Sequence, residues 1–145
     1  MIILFFMLTL AVFFLKWGFQ KSKRRNPLED LLGYLMLFTF GFTGIGNAIA
    51  HFFYTDRVIS FVGFSSFEIG VANLALGAIG ILSFWMRRGF LNAALLANTI
   101  WFWGTAVGLL RLDRFTPNQS VNFLVDLLIP VVVWTVYYNR EKSKI

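Results

Sequence analysis

The sequence has no cysteine, a single histidine and few charged residues over its 145 positions. The absence of cysteine excludes disulfide bonds, thiolate catalysis and cysteine metal sites. His51 has no second histidine with which to hold a metal ion, so we predict neither a metal nor a cofactor. HExxH, a glycine-rich phosphate loop and a serine at a recognisable spacing from a base are also missing. These absences favour a protein that is not an enzyme, although they do not decide the matter.

The sequence is rich in apolar and aromatic residues. Hydrophobic residues make up 58% of the chain and charged residues 14%, against about 45–50% and about 25% in ordinary soluble domains. Eighteen Phe and five Trp suit a surface that faces lipid, because a soluble protein would expose them in patches that aggregate. The net charge of +6 comes from basic residues in short loops between apolar runs, so we predict a lipid bilayer and no nucleic acid as partner.

Five apolar runs predict an all-α integral membrane bundle of five transmembrane helices, forming one domain over residues 1–145. The predicted helices cover roughly 1–19, 28–54, 66–86, 90–110 and 121–138, and about 20 apolar residues suffice to cross a bilayer. The first run is apolar almost all round, and basic residues follow it instead of preceding it. A cleaved signal peptide has the opposite order. We therefore expect an uncleaved, peripheral first helix against a core of four helices.

Basic residues are distributed unequally between the two sides of this topology. One side carries Lys16, Lys21, Lys23, Arg24, Arg25, Arg87, Arg88, Arg140, Lys142 and Lys144. The other side carries Arg57, Arg111 and Arg114. Because cytoplasmic loops are enriched in Lys and Arg, we predict that the N-terminus lies outside, that the C-terminus is cytoplasmic and that the protein spans the cell's inner membrane.

Glycines recur at helical spacing on the second, third and fourth predicted helices. In lipid, small residues allow two helix backbones to approach closely. The residues predicted to pack helices in this way are Gly44, Gly70, Gly77, Gly80, Gly104 and Gly108. The third helix carries three of these six, more than either of the others, so we expect it to be the central helix. Gly104 and Gly108 form a GxxxG pair that suits either packing within the chain or contact with a second copy or another membrane subunit.

Polar side chains within apolar helices are costly in hydrocarbon and are therefore candidates for a functional site. The candidates for a ligand or proton site are Asn47, His51, Glu68, Asn73, Arg111, Asn122 and Asp126. We predict that Asp126 pairs with Arg111, and that His51 and Glu68 line the same cavity near the outer face. The alternatives are structural: Asn47 joins two helices, Glu68 stabilises a helix start, and the ion pair closes a helical hairpin.

The segment between residues 51 and 80 carries a resemblance to a known family. The residues concerned are His51, Val62-Gly63-Phe64, Ser66-Phe67-Glu68, Gly70, Ala72-Asn73 and Gly77-Ala78-Ile79-Gly80. They resemble the signature of an uncharacterised family of small bacterial and archaeal integral membrane proteins, a domain-of-unknown-function family. Ser66-Phe67-Glu68 stands where that family shows Pro-Phe-Gln. The resemblance implies a multi-pass membrane fold and no known activity. In size and helix number the chain is also loosely similar to DoxX-like proteins, some of which are tied to quinone or thiol redox chemistry.

Three functions remain open, and each predicts a different structural feature. The favoured one is a small-molecule or proton-coupled transporter or channel component, with a polar site near the outer face and a water-accessible cavity that passes Asp126. A membrane-embedded redox or lipid-modifying enzyme predicts a quinone or acyl-chain pocket beside His51. A structural or assembly subunit of a membrane complex predicts an exposed face of small residues on the fourth helix. The sequence leaves cargo and oligomeric state open.

Overall fold

The computed structural model describes residues 2–19, 26–54, 66–86, 89–110 and 116–143. In these ranges the chain forms five helices and no strand, which confirms the predicted all-α bundle. The helices are α1 (Ile2–Phe19), α2 (Pro27–Phe53), α3 (Ser66–Trp85), α4 (Gly89–Leu109) and α5 (Pro117–Lys142). Each is long and apolar enough to cross a membrane. The basic loop residues Arg57, Arg87, Arg88 and Arg111 lie outside the described residues.

Two helices begin at a proline that follows a capping side chain. Asn26 accepts a hydrogen bond from the Leu28 backbone N–H at 3.0 Å, and Pro27 opens α2. Thr116 and Gln119 form a reciprocal capping box before α5. Proline suits the first helical position because its missing N–H would have no partner there. The box starts α5 at Pro117, earlier than the residue 121 expected from apolar character alone, and the helix continues to Lys142.

A π-helical segment interrupts α2, a feature that the sequence pattern did not predict. The segment covers Leu35–Phe42, between α-helical stretches at Pro27–Tyr34 and Thr43–Phe53. Here α2 contacts α1 through Thr9, whose hydroxyl lies 3.0 Å from that of Thr39 and is fully buried. Thr9 is the one buried residue of α1, and the other residues that the structure describes in this helix are half-buried or exposed. The N-terminal helix is therefore peripheral to the other four.

The hydrophobic core lies between α2, α4 and α5. Its buried members are Leu32, Leu35, Met36, Phe40, Leu91, Ala94, Leu95, Phe102, Ile129 and Val133. The apolar window of α2 is 56% buried, against 33% for that of α3, so the prediction that α3 is the central helix is wrong. The physical reason is that the glycines of α3 bury one narrow stripe only. Val71, Leu74 and Leu82 on its other sides are exposed.

Helices α2 and α3 meet through a glycine seam, formed by Gly41, Gly44, Gly77 and Gly80. A Cβ atom added to Gly44 would lie 2.6 Å from the Gly77 Cα atom, and one added to Gly77 would lie 2.7 Å from the Ile45 nitrogen. A Cβ atom on Gly80 would lie 2.8 Å from the Gly41 nitrogen. These distances are shorter than van der Waals contact, and the opposing atoms belong to the backbone. The two helices therefore touch backbone to backbone, as small residues permit in lipid.

Candidate functional site

The bundle has two ends, and each candidate residue is described by the end to which it lies closer. At one end, which we name the His51 end, α2 and α4 finish while α3 and α5 begin. At the other, the Arg140 end, α2 and α4 begin while α3 and α5 finish. Most of the predicted site residues belong to the half of the bundle near the His51 end. Two hydrogen-bonded pairs of side chains include predicted site residues, one at His51 and one at Asp126.

The first pair joins His51 to Ser66. The Nδ1 atom of His51 lies 3.1 Å from the Ser66 hydroxyl, which also donates to the His51 carbonyl oxygen at 3.1 Å. The tautomer of His51 decides whether Nδ1 donates to this hydroxyl or accepts from it. His51 and Ser66 are both buried, and their bonds fasten the end of α2 to the start of α3.

The surroundings of His51 are closely packed on the α3 side. A Cβ atom on Gly70 would lie 2.5 Å from the Phe52 ring and 3.2 Å from the His51 Cβ atom. Glu68 is exposed in the first turn of α3, two residues after Ser66. Residues two apart in a helix point to different sides, so the side chain of Glu68 is not directed to the same side of α3 as Ser66.

The asparagines form local hydrogen bonds or lie near the surface. Asn73 donates to the Ile69 carbonyl oxygen and Asn98 to that of Ala94, each at 2.9 Å and one turn back on its own helix. Asn73 is 5% exposed, whereas Asn47 is half-buried and Asn122 is exposed. Asn98, which the sequence analysis did not single out, is the most deeply buried of the four.

The second pair joins Asp126 of α5 to Thr105 of α4. The Asp126 Oδ2 atom lies 2.8 Å from the Thr105 hydroxyl, which is also 2.8 Å from the Phe102 carbonyl oxygen. Asp126 is half-buried within the candidate span of α5. Arg111, its predicted partner, lies outside the described residues, so that ion pair stays a prediction. Within the described part of the chain, the hydrogen-bond partner of Asp126 is a neutral hydroxyl.

An open aromatic groove lies between α4 and α5. Its volume is about 360 Å³, and it is lined by Trp103, Val131, Trp134, Thr135 and Tyr138. The Trp134 indole N–H donates to the Thr99 hydroxyl at 2.8 Å, which fixes the ring against α4. Side-chain hydrogen bonds therefore join α4 to α5, in contrast with the glycine contacts between α2 and α3.

The Arg140 end holds ion pairs that the sequence analysis missed. Arg140 is 6% exposed, and its two terminal nitrogens contact Glu29 at 3.3 Å and Glu141 at 2.8 Å. Its burial was foreseeable, because Ile129, Val133 and Arg140 share one face of α5 at helical spacing. Nearby, Lys16 of α1 pairs with Asp30 of α2 at 2.9 Å. Among the described residues no three His, Asp or Glu side chains lie close enough together to hold a metal ion.

The fold is thus an all-α bundle of five apolar helices, each of a length that crosses a membrane. Residues 1–144 match the model of a family of unknown function, DUF6790, and the chain belongs to this family. No curated protein and no solved structure matches it. The match confirms the resemblance to an uncharacterised family. The looser likeness to DoxX-like proteins and the bacterial or archaeal origin stay predictions.

Proposed function

We propose that the protein is a proton-coupled transport or channel component of the inner membrane, in which Asp126 takes up and releases the proton. The observation that supports this proposal is the position of the Thr105 hydroxyl between Asp126 and the Phe102 carbonyl oxygen, 2.8 Å from each. When Asp126 is ionised, the hydroxyl donates to its carboxylate. When Asp126 is protonated, the acid donates to Thr105 and the hydroxyl turns to Phe102. Both states leave every group hydrogen-bonded.

The energetic cost of the carboxylate is a second reason for a functional role. A charged aspartate costs about 2.5–3.5 kcal/mol at the centre of a spanning helix, and less nearer the helix end, where Asp126 lies in the span Gln119–Lys142. Thr105 offers a dipole and no opposite charge to reduce this cost. A purely structural site would be served as well by an asparagine, which bears no charge. An aspartic acid beside a hydroxyl can take up and release a proton, which an asparagine at this position could not do.

The proposal includes the orientation in which the N-terminus is outside and the Arg140 end is cytoplasmic. Its support is the excess of basic residues near the Arg140 end. A cysteine introduced at Ser143, which is exposed, should react with a membrane-impermeant thiol reagent in inverted membranes and not in intact cells. Because the natural chain has no cysteine, the variant contains a single reactive thiol. Labelling of position 143 from outside intact cells would contradict the orientation.

Proton binding by Asp126 can be tested with a hydrophobic carbodiimide, which reacts with protonated carboxylic acids in apolar surroundings. We expect mass spectrometry of the purified protein in lipid to locate the adduct at Asp126 and to show less of it as the pH rises. Asp126→Asn should abolish the adduct. In proteoliposomes with an imposed membrane potential, Asp126→Asn should also lower the proton flux reported by an enclosed pH-sensitive dye.

Matched variants separate this site from general effects of mutation. Ser120→Ala removes an exposed hydroxyl near the start of α5, which bonds to the Thr116 carbonyl oxygen, and should change neither readout. Thr105→Val removes the hydroxyl that contacts Asp126 and should also lower the proton flux. Its control is Thr135→Val, which removes an exposed hydroxyl whose bond among the described residues is to the Val131 carbonyl oxygen of its own helix. Absence of the adduct at every pH at which the protein stays folded would contradict proton binding. Labelling without any flux would contradict transport.

A second candidate function, an assembly subunit of a membrane complex, is favoured by the surface of α4. Gly104 is exposed, and a Cβ atom added there would have no neighbour within 4 Å. A glycine that no part of the fold requires is available to another helix in the bilayer. This function predicts association through Gly104, and it is independent of proton binding by Asp126. The enzyme alternative, with a pocket beside His51, stays an untested prediction.

A further inference from the structure

Arg140 is buried more deeply than the two carboxylates that it contacts. Its side chain is 7% exposed, whereas those of Glu29 and Glu141 are 34% and 40% exposed. The terminal nitrogens of the guanidinium reach these acids, but the buried Nε–H has no hydrogen-bond partner among the described residues. A buried polar group without a partner costs free energy. Among the described residues the guanidinium therefore lacks a hydrogen-bond acceptor at its Nε–H.

A small cavity lies beside this guanidinium, where four helices meet at the Arg140 end. It is lined by Glu29, Leu32, Gly33, Ser83, Leu91 and Arg140. The space open to the centre of a water molecule is about 10 Å³, which is close to the minimum for one bound water. Ser83 is 2% exposed, and its hydroxyl donates to the Gly80 carbonyl oxygen at 2.7 Å. The oxygen of that hydroxyl can still accept a hydrogen bond.

We propose that this cavity is a hydration site, and that the ion pair between Arg140 and Glu29 controls the entry of water to it. Arg140 supplies the donor for the water and Ser83 supplies the acceptor, so the water receives the polar partners that a buried site requires. The ligand is water itself. A hydrated guanidinium in an apolar bundle marks a place where the aqueous phase reaches between the helices.

The Glu29 contact is suited to opening. Its length of 3.3 Å exceeds the roughly 2.7–2.9 Å of a strong charge-assisted hydrogen bond. The next residue in the chain provides a contrast, because Asp30 holds Lys16 at 2.9 Å with a side chain that is 12% exposed. Water therefore has better access to Glu29 than to Asp30. It can replace the Glu29 carboxylate as a partner of Arg140. Asp126 is located in the other half of α5, so this inference holds or fails independently of the proposed function.

The test uses Ser83→Cys, which places the only cysteine of the chain in the cavity. A small, water-soluble thiol reagent should modify it slowly while the Glu29 contact is intact. Adding Glu29→Gln should raise the rate about tenfold, the effect expected from loss of one hydrogen bond to a charged group. Adding Asp30→Asn instead is the matched control. It removes the same charge one residue away and should leave the rate unchanged.

A second thiol distinguishes a local opening from general loosening of the bundle. Asn98→Cys lies in the buried part of α4, and Glu29→Gln should not make it reactive. An equal increase at positions 83 and 98 would show that the ion pair is merely structural and would overturn the proposal. An unchanged rate at position 83 would also overturn it.

A measurement on the natural chain covers the case in which Ser83→Cys fails to fold. Radiolysis of bound water produces hydroxyl radicals in place, and these oxidise neighbouring side chains. Leu91 is 4% exposed and lines the cavity, so we expect its oxidation in the folded protein and more of it in Glu29→Gln. Leu95, one turn further along α4, has the same side chain, is fully buried and is the internal reference. If Leu91 is not oxidised more than this reference, the cavity is dry and the proposal is wrong.

Discussion

The glycines of the seam between α2 and α3 and the glycine in α4 have opposite surroundings, although all lie in apolar helices. A Cβ atom on Gly44 or Gly77 would lie less than 3 Å from the backbone of the facing helix. A Cβ atom on Gly104 would meet nothing within 4 Å. The glycines of the seam are therefore required by the fold of a single chain. A Cβ atom at Gly104 would not disturb the fold of the described residues.

The difference reflects two ways of joining helices in an apolar solvent. Lipid tails are as apolar as leucine, so helices gain nothing there from burial of apolar surface alone. Between α2 and α3, close backbone approach supplies dispersion contacts. Between α4 and α5, side chains supply hydrogen bonds, from Thr105 to Asp126 and from Trp134 to Thr99, each at 2.8 Å. Helices that are joined by hydrogen bonds between their side chains do not need glycine at their interface.

We expect the largest loss of stability from Gly77→Leu, a substitution in the seam between α2 and α3. Four additional carbons would start 2.7 Å from the Ile45 nitrogen and 2.8 Å from the Gly41 carbonyl oxygen. Because these atoms belong to the backbone, the helices must separate. Overpacking of this kind costs about 1–3 kcal/mol, occasionally more. Equilibrium unfolding in mixed micelles should report the loss as a shift of the transition to lower denaturant.

The matched control is Ala78→Leu, at the next residue on the exposed side of α3. It adds similar apolar bulk without a facing backbone and should leave the unfolding transition nearly unchanged. If the two variants unfolded alike, the backbone contact between α2 and α3 would not be the feature that holds these helices together.

The sequence predicted the helices well and their neighbours less well. Helical spacing identifies the residues that share a face: Gly70, Gly77 and Gly80 share one face of α3, and all three are buried. Spacing does not identify the helix that a face meets. The glycines therefore suggested a central α3, whereas α2 is the most buried helix. The π-helical segment of α2 also escaped prediction, because it depends on contacts with α1 and α3 and leaves no period of its own.

The candidate site was predicted at the level of residues and not of partners. Burial of His51 and partial burial of Asp126 follow from their positions in apolar runs. Their partners, Ser66 and Thr105, are small hydroxyl residues that are common in helices and carry no distinguishing signal in sequence. Arg140 was counted among the basic residues of the predicted cytoplasmic side, where such residues are ordinarily enriched. Only its register with Val133 indicated that it would face the core.

The smallest effect on the fold, and the one most informative about partners, is expected from Gly104→Ala. The added methyl group meets open space, and alanine in a helix interior is more favourable than glycine by about 0.5–1 kcal/mol. We therefore expect stability to be unchanged or slightly increased. Gly44→Ala makes the same chemical change within the seam, where the methyl group would lie 2.6 Å from the Gly77 Cα atom, and should lower stability.

Self-association in lipid, measured by energy transfer between labelled copies, then has a clear interpretation. If Gly104→Ala weakens association while the fold gains stability, the exposed glycine serves a second copy of the chain. Association that is unchanged by this substitution and by Gly104→Ile would show that a second copy does not bind there.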